Sequence, residues 1–214
     1  MAAARRGLEI ELHLATRAEA QVAAIADDIA YNCHDLDDGL RARLILIEEL
    51  TDVPLAGSFV RDAASAGIDA GRVIYEVNRR MITAMIDDVV GESKARLAAL
   101  QEQSLEGVRG AGRPVIVLSA ERHAEMESLK DFLFAKVYRH ARVMQVMRGA
   151  ERIVADLFAR YMAEPGEMPA AWRNADGEDT AAREAVVADF VAGMTDRYAI
   201  NEHRRLFDAT PELR

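Results

Sequence analysis

The sequence is poor in cysteine and has no long apolar run, and both absences limit the class of protein it can encode. Cys33 is the only cysteine among 214 residues, so no disulfide can form within the chain and a reducing compartment is expected. No apolar run approaches the roughly 20 residues that a membrane-spanning helix needs. The opening residues, MAAARRGLEIE, contain two arginines but no following apolar stretch, unlike a secretory signal. We therefore expect a cytoplasmic protein that does not enter a membrane.

Basic residues are also in deficit. The chain has 27 Lys and Arg against 36 Asp and Glu, a formal net charge of −9. A dedicated nucleic-acid-binding protein normally presents a basic face, so we do not expect nucleic-acid binding. A small phosphorylated ligand is still compatible with this charge, because a pocket needs few local basic residues and a metal can neutralise the remaining phosphate charge.

Apolar residues recur with helical spacing through nearly the whole chain, which predicts an all-α fold of compactly packed helices. Residues 115–118 are the only candidate strand, and four residues could equally form an extended loop, so we expect at most one short strand pair. Loops are predicted over 107–114 and 164–177, where Gly and Pro concentrate. Helices are predicted over about 17–33, 41–50, 68–90, 94–106 and 181–207, with two or three more covering 121–162.

The first predicted helix carries an unusual acidic stripe. Asp27, Tyr31 and Asp35 are spaced four residues apart, so on a helix they share one face. An apolar stripe lies opposite and supplies the face that packs against a core; it contains Val22, Ile25, Ala26, Ile29 and Ala30. Carboxylates in a row usually form a solvated surface. A tyrosine between them, beside a strongly apolar stripe, instead suggests the edge of a polar pocket, and the spacing alone leaves both interpretations open.

Three sequence blocks resemble a known enzyme family. The blocks are ADDIAYNCHDLDDG at 26–39, KVYRH at 136–140 and DFVAGMTDRYA at 189–199. In this order they resemble the C-terminal half of the dGTPase-like HD-domain deoxynucleoside triphosphate triphosphohydrolases. The last two blocks resemble the phosphohydrolase-associated region of those enzymes. The resemblance implies that residues 1–50 are the last part of an HD domain and that residues 51–214 form the helical phosphohydrolase-associated region.

The resemblance implies roles for the acidic stripe. In the family a His, a His-Asp pair and a final Asp hold a divalent metal, for which Mg²⁺ or Mn²⁺ is expected, and the final Asp corresponds to Asp27. Tyr31 would pack on the deoxyribose of a deoxynucleoside triphosphate, and Asp35 would accept a hydrogen bond from its 3′-hydroxyl. An aromatic face suits a sugar ring, and a carboxylate is a strong acceptor for a hydroxyl. Water would attack the α-phosphorus, releasing a deoxynucleoside and inorganic triphosphate.

The KVYRH block adds candidates for substrate binding. By the same resemblance Tyr138 is a second aromatic wall of the pocket, and Lys130, Lys136 and Arg139 are candidates for phosphate contact. The alternative is a basic amphipathic helix with Tyr138 in the core.

The metal ligands other than Asp27 lie upstream of it in the family. Only 26 residues precede Asp27 here; they contain His13 as their single histidine and no His-Asp pair. The dipeptide His34-Asp35 follows Asp27 and falls within the sugar-contacting block. One carboxylate cannot hold a catalytic metal, so we expect no complete catalytic set in this chain, no metal held by it alone, and no activity of the isolated chain.

A second hypothesis is a non-catalytic helical module, derived from the same family, that mediates assembly or regulation. Family members commonly form oligomers, so a homo-oligomer is expected, and the methionines of residues 137–147 could supply an interface. The alternative for these methionines is that they fill gaps in the core.

Overall fold

The computed structural model describes residues 17–67, 69–173, 180–208 and 211, and these residues contain helices and no strand. The all-α prediction is confirmed. The described α-helices are α1 (Ala18–Arg41), α2 (Pro54–Ser65), α3 (Ala70–Ala98), α4 (Leu105–Gly110), α5 (Ala120–Leu133), α6 (Ala141–Ala163), α7 (Ala170–Arg173), α8 (Thr180–Ala192) and α9 (Asp196–Phe207). Two 3-10 helices, Ile47–Asp52 and Pro165–Glu167, and a π-helical turn, Phe134–Tyr138, complete the described elements.

The chain forms two compact units, one ending at Tyr138 and the other beginning at Arg139. The core of the first unit is built mainly from apolar side chains of α1, α2, α3 and α5, among them Cys33, Leu36, Leu55, Met81 and Leu129. The boundary predicted at residue 50 separates two family regions and not two compact units, so the division at Tyr138 does not test it. That boundary stays a prediction.

The second unit has its own core, where α6 packs against α8 and α9. Tyr161, Leu157, Val187 and Phe190 are buried in it. The rings of Tyr161 and Phe190 meet edge to face, with centroids 5.2 Å apart, an arrangement that aromatic pairs favour.

Helix α1 is longer than predicted. Its apolar face continues past Cys33 through Leu36 and Leu40, both buried, so the core stabilises a further two turns through the Asp-rich segment. The helix ends at Arg41, followed by Arg43 with a left-handed φ of 54°. The prediction of an α-helix over 41–50 is therefore wrong. The helical structure in that range is the start of the 3-10 helix Ile47–Asp52.

The predicted break between residues 90 and 94 is also absent. Helix α3 runs without interruption from Ala70 to Ala98, through an exposed Gly91. The prediction of a separate helix over 94–106 is wrong, because residues 94–98 belong to α3. The loop predicted over 107–114 is helical at its start, since α4 continues to Gly110. Ser104 begins α4 by accepting a hydrogen bond from the backbone N–H of Gly107, which residue pattern alone did not indicate.

Residues 115–118 form no strand: 115 and 116 lie in a bend, and 117 and 118 have no regular secondary structure. The side-chain oxygen of Gln21 accepts hydrogen bonds from the backbone N–H groups of Val115 and Ile116, at 2.9 Å and 3.1 Å. Ser93 accepts another from Val117 at 3.1 Å. Side chains thus satisfy the backbone donors that a partner strand would otherwise take.

The C-terminal helix predicted over 181–207 is divided into α8 and α9 at Gly193. Thr195 caps α9 by accepting a hydrogen bond from the backbone N–H of Tyr198, and this cap begins a new helix. Within the loop predicted over 164–177, a 3-10 turn and the short α7 are found, while residues 174–177 lie outside the described part of the chain.

Candidate functional site

Helix α1 presents Asp27, Tyr31 and Asp35 along one side, as their spacing predicts. Asp27 is exposed, Tyr31 is 61% exposed and Asp35 is half-buried. The residues between them include Ile29 and Cys33, which are buried in the first core. The helix is therefore held by its apolar side while the three polar side chains remain available at the surface.

Tyr138 joins this row from a distant part of the sequence. Its hydroxyl donates a hydrogen bond to the carboxylate of Asp35, 103 residues away along the chain. Burial, and then the neighbouring Asp35 carboxylate and Tyr31, raise the pKa of the Tyr138 hydroxyl well above its usual range. The phenol is thus a neutral donor at physiological pH, and Tyr31, Asp35 and Tyr138 form one cluster.

Close packing beside Gly39 accounts for the approach of Tyr138 to α1. Gly39 is buried, and a Cβ atom added there would lie 2.9 Å from Cγ2 of Val137 and 3.3 Å from Cδ1 of Ile45. A larger residue at 39 would push against the π-helical turn that carries Tyr138. Such turns are rare and occur frequently at functional sites.

A second polar feature lies beside Asp27. A groove of about 450 Å³ is lined by Asp27, Asp28, His123 and Lys130, together with Gln21 and apolar residues of α1, α5 and the 115–118 segment. Nζ of Lys130 lies 3.8 Å from Oδ2 of Asp28 and 3.0 Å from Oε1 of Glu127. Lys130 thus places a cation beside Asp28 in the groove that Asp27 also lines.

The other two basic candidates lie elsewhere. Nζ of Lys136 donates to Oε1 of Glu49 at 2.9 Å, and this hydrogen bond lowers the pKa of the Glu49 carboxyl. Arg139 is exposed and is the first residue of the second compact unit. Of the three predicted basic residues, only Lys130 lines the groove that contains Asp27.

Metal-ligand side chains do not converge in the described part of the chain. No group of three or more His, Cys, Asp or Glu side chains suited to a metal ion is found there. His34 is exposed on α1, and His13 lies outside the described residues. The described residues therefore do not fit a complete metal site, and Asp27 offers one carboxylate toward such a site.

Two polar residues that shape this region were not predicted from the sequence. Gln21 is buried and holds the 115–118 segment through its carboxamide oxygen. Asp88 accepts hydrogen bonds from the backbone N–H and the hydroxyl of Ser119, both at 2.8 Å. Gln21 is next to the apolar stripe of α1 in the sequence, and this position weakly indicates a buried polar side chain. Asp88 is one of several acidic residues on α3, and nothing in the sequence distinguishes it from the others.

Comparison with known proteins gives this region a family context. Residues 116–205 match the phosphohydrolase-associated domain family. The chain is 49% identical over 210 residues to a deoxyguanosinetriphosphate triphosphohydrolase-like protein of Azorhizobium caulinodans, covering 96% of this chain and 52% of that protein. Proteins of the same description from Rhodopseudomonas palustris and Brucella ovis are 46% and 45% identical, covering 98% and 96% of this chain and 53% and 52% of those proteins.

The chain is a homologue of these dGTPase-like proteins. The resemblance predicted from the three sequence blocks is therefore confirmed. The chain spans about half the length of the curated relatives it matches, and it corresponds to their C-terminal half. Within the described residues, none of the helices is long and apolar enough to cross a membrane.

Proposed function

We propose that this chain is the C-terminal portion of a metal-dependent deoxynucleoside triphosphate triphosphohydrolase, acting on dGTP or a related nucleotide and releasing a deoxynucleoside and inorganic triphosphate. The observation that carries the proposal is the hydrogen bond from Tyr138 to Asp35. It joins two of the family-like blocks into one cluster with Tyr31, on the helix that presents Asp27. The chain contributes one wall of the site, and the rest of the enzyme supplies the other wall.

The cluster suits the sugar of a deoxynucleotide. The exposed ring of Tyr31 offers an apolar face for the deoxyribose. A carboxylate can accept several hydrogen bonds, so Asp35 can accept one from Tyr138 and another from the 3′-hydroxyl. Tyr138 thereby orients Asp35 and closes the pocket as a second aromatic wall.

The phosphates would lie toward Asp27 and Lys130. Lys130 shares the groove of Asp27 and is held near Asp28 and Glu127, so it is the basic residue best placed for a phosphate beside Asp27. To bind a phosphate, Lys136 would have to break its ion pair with Glu49. That pair is exposed and stabilises the fold little. Lys136 and Arg139 remain proposed phosphate contacts of lower rank.

Asp27 is proposed as one ligand of the family's metal, Mg²⁺ or Mn²⁺. Carboxylate oxygens are ligands that both ions accept. Because the described residues do not complete a metal site, the remaining ligands would come from the half of the enzyme that this chain does not cover. The isolated chain is therefore expected to be inactive.

A fusion tests this proposal. The half of the Azorhizobium relative that the match does not cover is joined in frame to this chain, and inorganic triphosphate release from dGTP is measured with Mn²⁺. We expect release by the fusion and none by the isolated chain. Asp27→Asn in the fusion should lower the rate by more than about 100-fold, since even residues that only support metal ligands contribute about 10- to 100-fold.

Asp38→Asn is the matched control, because Asp38 is an exposed carboxylate on the same helix outside the cluster. It should leave the rate of the fusion unchanged. Full activity of the Asp27→Asn fusion, or triphosphate release by the isolated chain that disappears with Asp27→Asn, would contradict the proposal as stated.

A non-catalytic assembly module is the second candidate, and one observation favours it. Met147 and Val154 lie seven residues apart on α6, hence on one face, and both side chains are about half exposed. Contiguous exposed apolar patches mark contact surfaces between subunits, and this pair would be the centre of such a patch. This candidate predicts self-association without any hydrolysis in the fusion.

A further inference from the structure

An apolar groove runs between α1 and α3 and is distinct from the polar groove of Asp27. It has a volume of about 520 Å³. Its lining includes Val22, Ile29, Ile86, Val90 and Leu97. Val22, Ile86 and Val90 are 48%, 49% and 44% exposed. Valine and isoleucine are among the residue types most often fully buried in folded proteins. Among residues 17–67 and 69–138, which the structure describes in the first unit, none covers them further.

The lining defines what can bind there. Among the residues of the groove, His34 and Lys94 are the only ones that can carry a charge, so the occupant must present an apolar surface. The α1 side of the groove extends from Val22 to His34, which corresponds to about 18 Å of helix. That length accommodates about three turns of an amphipathic helix, the mode in which a helix places apolar side chains into a groove.

The apolar groove and the Asp27 groove are neighbours. Ile25 and Ile116 line both. A polypeptide that covers the apolar groove therefore comes directly beside Asp27, which belongs to the same helix. Whatever completes the site around Asp27 must approach α1 in this region.

We infer that the apolar groove between α1 and α3 is the docking surface for the N-terminal half of a dGTPase-like polypeptide. The relatives contain about as much polypeptide again as this chain matches, so an occupant of sufficient size exists. The choice of occupant rests in part on the proposed function, since the residues that complete the site of Asp27 must come from outside the described residues. A second copy of the chain would cover the groove without supplying them.

Cysteine labelling tests this inference without using catalysis. Val90→Cys is introduced into the isolated chain and into the fusion with the N-terminal half of the Azorhizobium relative. Alkylation by N-ethylmaleimide at pH 7.5 is followed at each site by peptide mass spectrometry. We expect Cys at position 90 to react readily in the isolated chain and about tenfold or more slowly in the fusion, because alkylation requires access to the thiolate.

Two internal controls accompany this measurement. Tyr75→Cys lies on the same helix, is 65% exposed in the native chain and is outside the groove; it should react equally in both proteins. The native Cys33 is buried, and burial raises its pKa to about 12, so it should stay unlabelled wherever the first unit is folded. Ile86→Cys provides a second probe of the groove.

Equal labelling of positions 90 and 86 in the isolated chain and in a fusion that keeps Cys33 protected would overturn the inference. Protection already present in the isolated chain would also overturn it. If that protection increased with protein concentration, the groove would be covered by a second copy of the chain. If it were lost on deleting residues 1–16, the groove would be covered by the chain's own first residues. A fusion that protects position 90 but hydrolyses no dGTP would retain the docking surface and contradict the proposed function alone.

Discussion

Cys33 is the single thiol of the chain, and it lies at the centre of the first core with no exposed surface. Burial disfavours the thiolate and raises the pKa of Cys33 to about 12. In the unfolded chain the thiol ionises near its ordinary pKa of about 8.5. The folded state therefore binds a proton that the unfolded state releases in alkali.

This difference predicts an alkaline loss of stability. The contribution of Cys33 is fully present below the unfolded pKa and is lost as pH rises from about 9 toward 12. Between pH 8 and pH 10, the free energy of urea unfolding should fall by roughly 2 kcal/mol more for the native chain than for Cys33→Ala, since ionisation of the unfolded thiol over this range contributes about 1.4 kcal/mol per pH unit above its pKa.

The alanine variant leaves a small cavity, and its cost is the same at both pH values, so the comparison concerns the pH dependence and not the absolute stability. Tyr138 and Tyr161, whose pKa values are also raised, titrate in both proteins and cancel in the difference. Equal losses in the two proteins would show that Cys33 ionises alike in the folded and unfolded chain.

At the residue scale, local spacing predicted the row on α1 but not its contact with Tyr138. Asp27, Tyr31 and Asp35 share a face because a helix fixes the direction of residues four apart. The contact of Tyr138 with Asp35 joins positions 103 residues apart, and local spacing does not encode such a pairing. The resemblance suggested that Tyr138 belongs near the row; its hydroxyl as the donor to Asp35 came from the tertiary structure.

At the scale of elements, two glycines within helices have opposite surroundings. Gly39 in α1 is buried against Val137 and Ile45, whereas a Cβ at Gly91 in α3 would meet nothing within 4 Å. Both have helical neighbours on each side. The same substitution should therefore have opposite effects at the two positions.

Gly91→Ala should stabilise the first unit by about 0.5–1 kcal/mol, the usual gain for alanine over glycine within a helix. Gly39→Ala should destabilise it by roughly 1 kcal/mol, because crowding of about 1–3 kcal/mol outweighs the same gain and the branched Val137 side chain has little rotamer freedom. Urea unfolding measured by circular dichroism gives both values.

Each variant serves as the control for the other. If Gly39→Ala proved as stabilising as Gly91→Ala, the close packing between α1 and the π-helical turn would not hold in solution. In the fusion with the relative's N-terminal half, Gly39→Ala should also weaken dGTP use, because that packing positions Tyr138 beside Asp35.

Helix boundaries show where local pattern stops being sufficient. The pattern placed the end of α1 at its Asp-rich segment, but burial of Leu36 and Leu40 extended the helix to Arg41. It divided α3 near Gly91, where the helix in fact continues. It joined α8 to α9, although Thr195 caps a new helix after Gly193. Core packing and capping decided these ends, because each outweighs the propensity of one or two residues.

At the scale of the whole molecule, the question is assembly. The expected homo-oligomer stays a prediction, and the exposed pair Met147 and Val154 on α6 is the surface proposed for it. Size-exclusion chromatography with light scattering should give a multiple of the 23.6 kDa chain mass. Met147→Glu combined with Val154→Glu should shift the mass toward that of one chain, since burying two unpaired carboxylates at an interface is costly.

Tyr75→Glu on α3 is the control, since it also adds a charge in place of an exposed apolar side chain but lies far from α6 in sequence. It should leave the mass unchanged. A monodisperse monomer for the native chain would contradict the prediction of a homo-oligomer.

The sequence by itself determined the all-helical class, the polar row of α1 and the relation to the dGTPase-like proteins, because periodicity and short motifs are properties of neighbouring residues. Only the tertiary structure decided that Tyr138 donates to Asp35, that Gln21 and Asp88 hold the 115–119 segment, and that an apolar groove lies beside the groove of Asp27. These features depend on which distant surfaces pack together. Which surfaces pack together depends on the apolar area buried over the whole core. A short stretch of sequence does not determine that total.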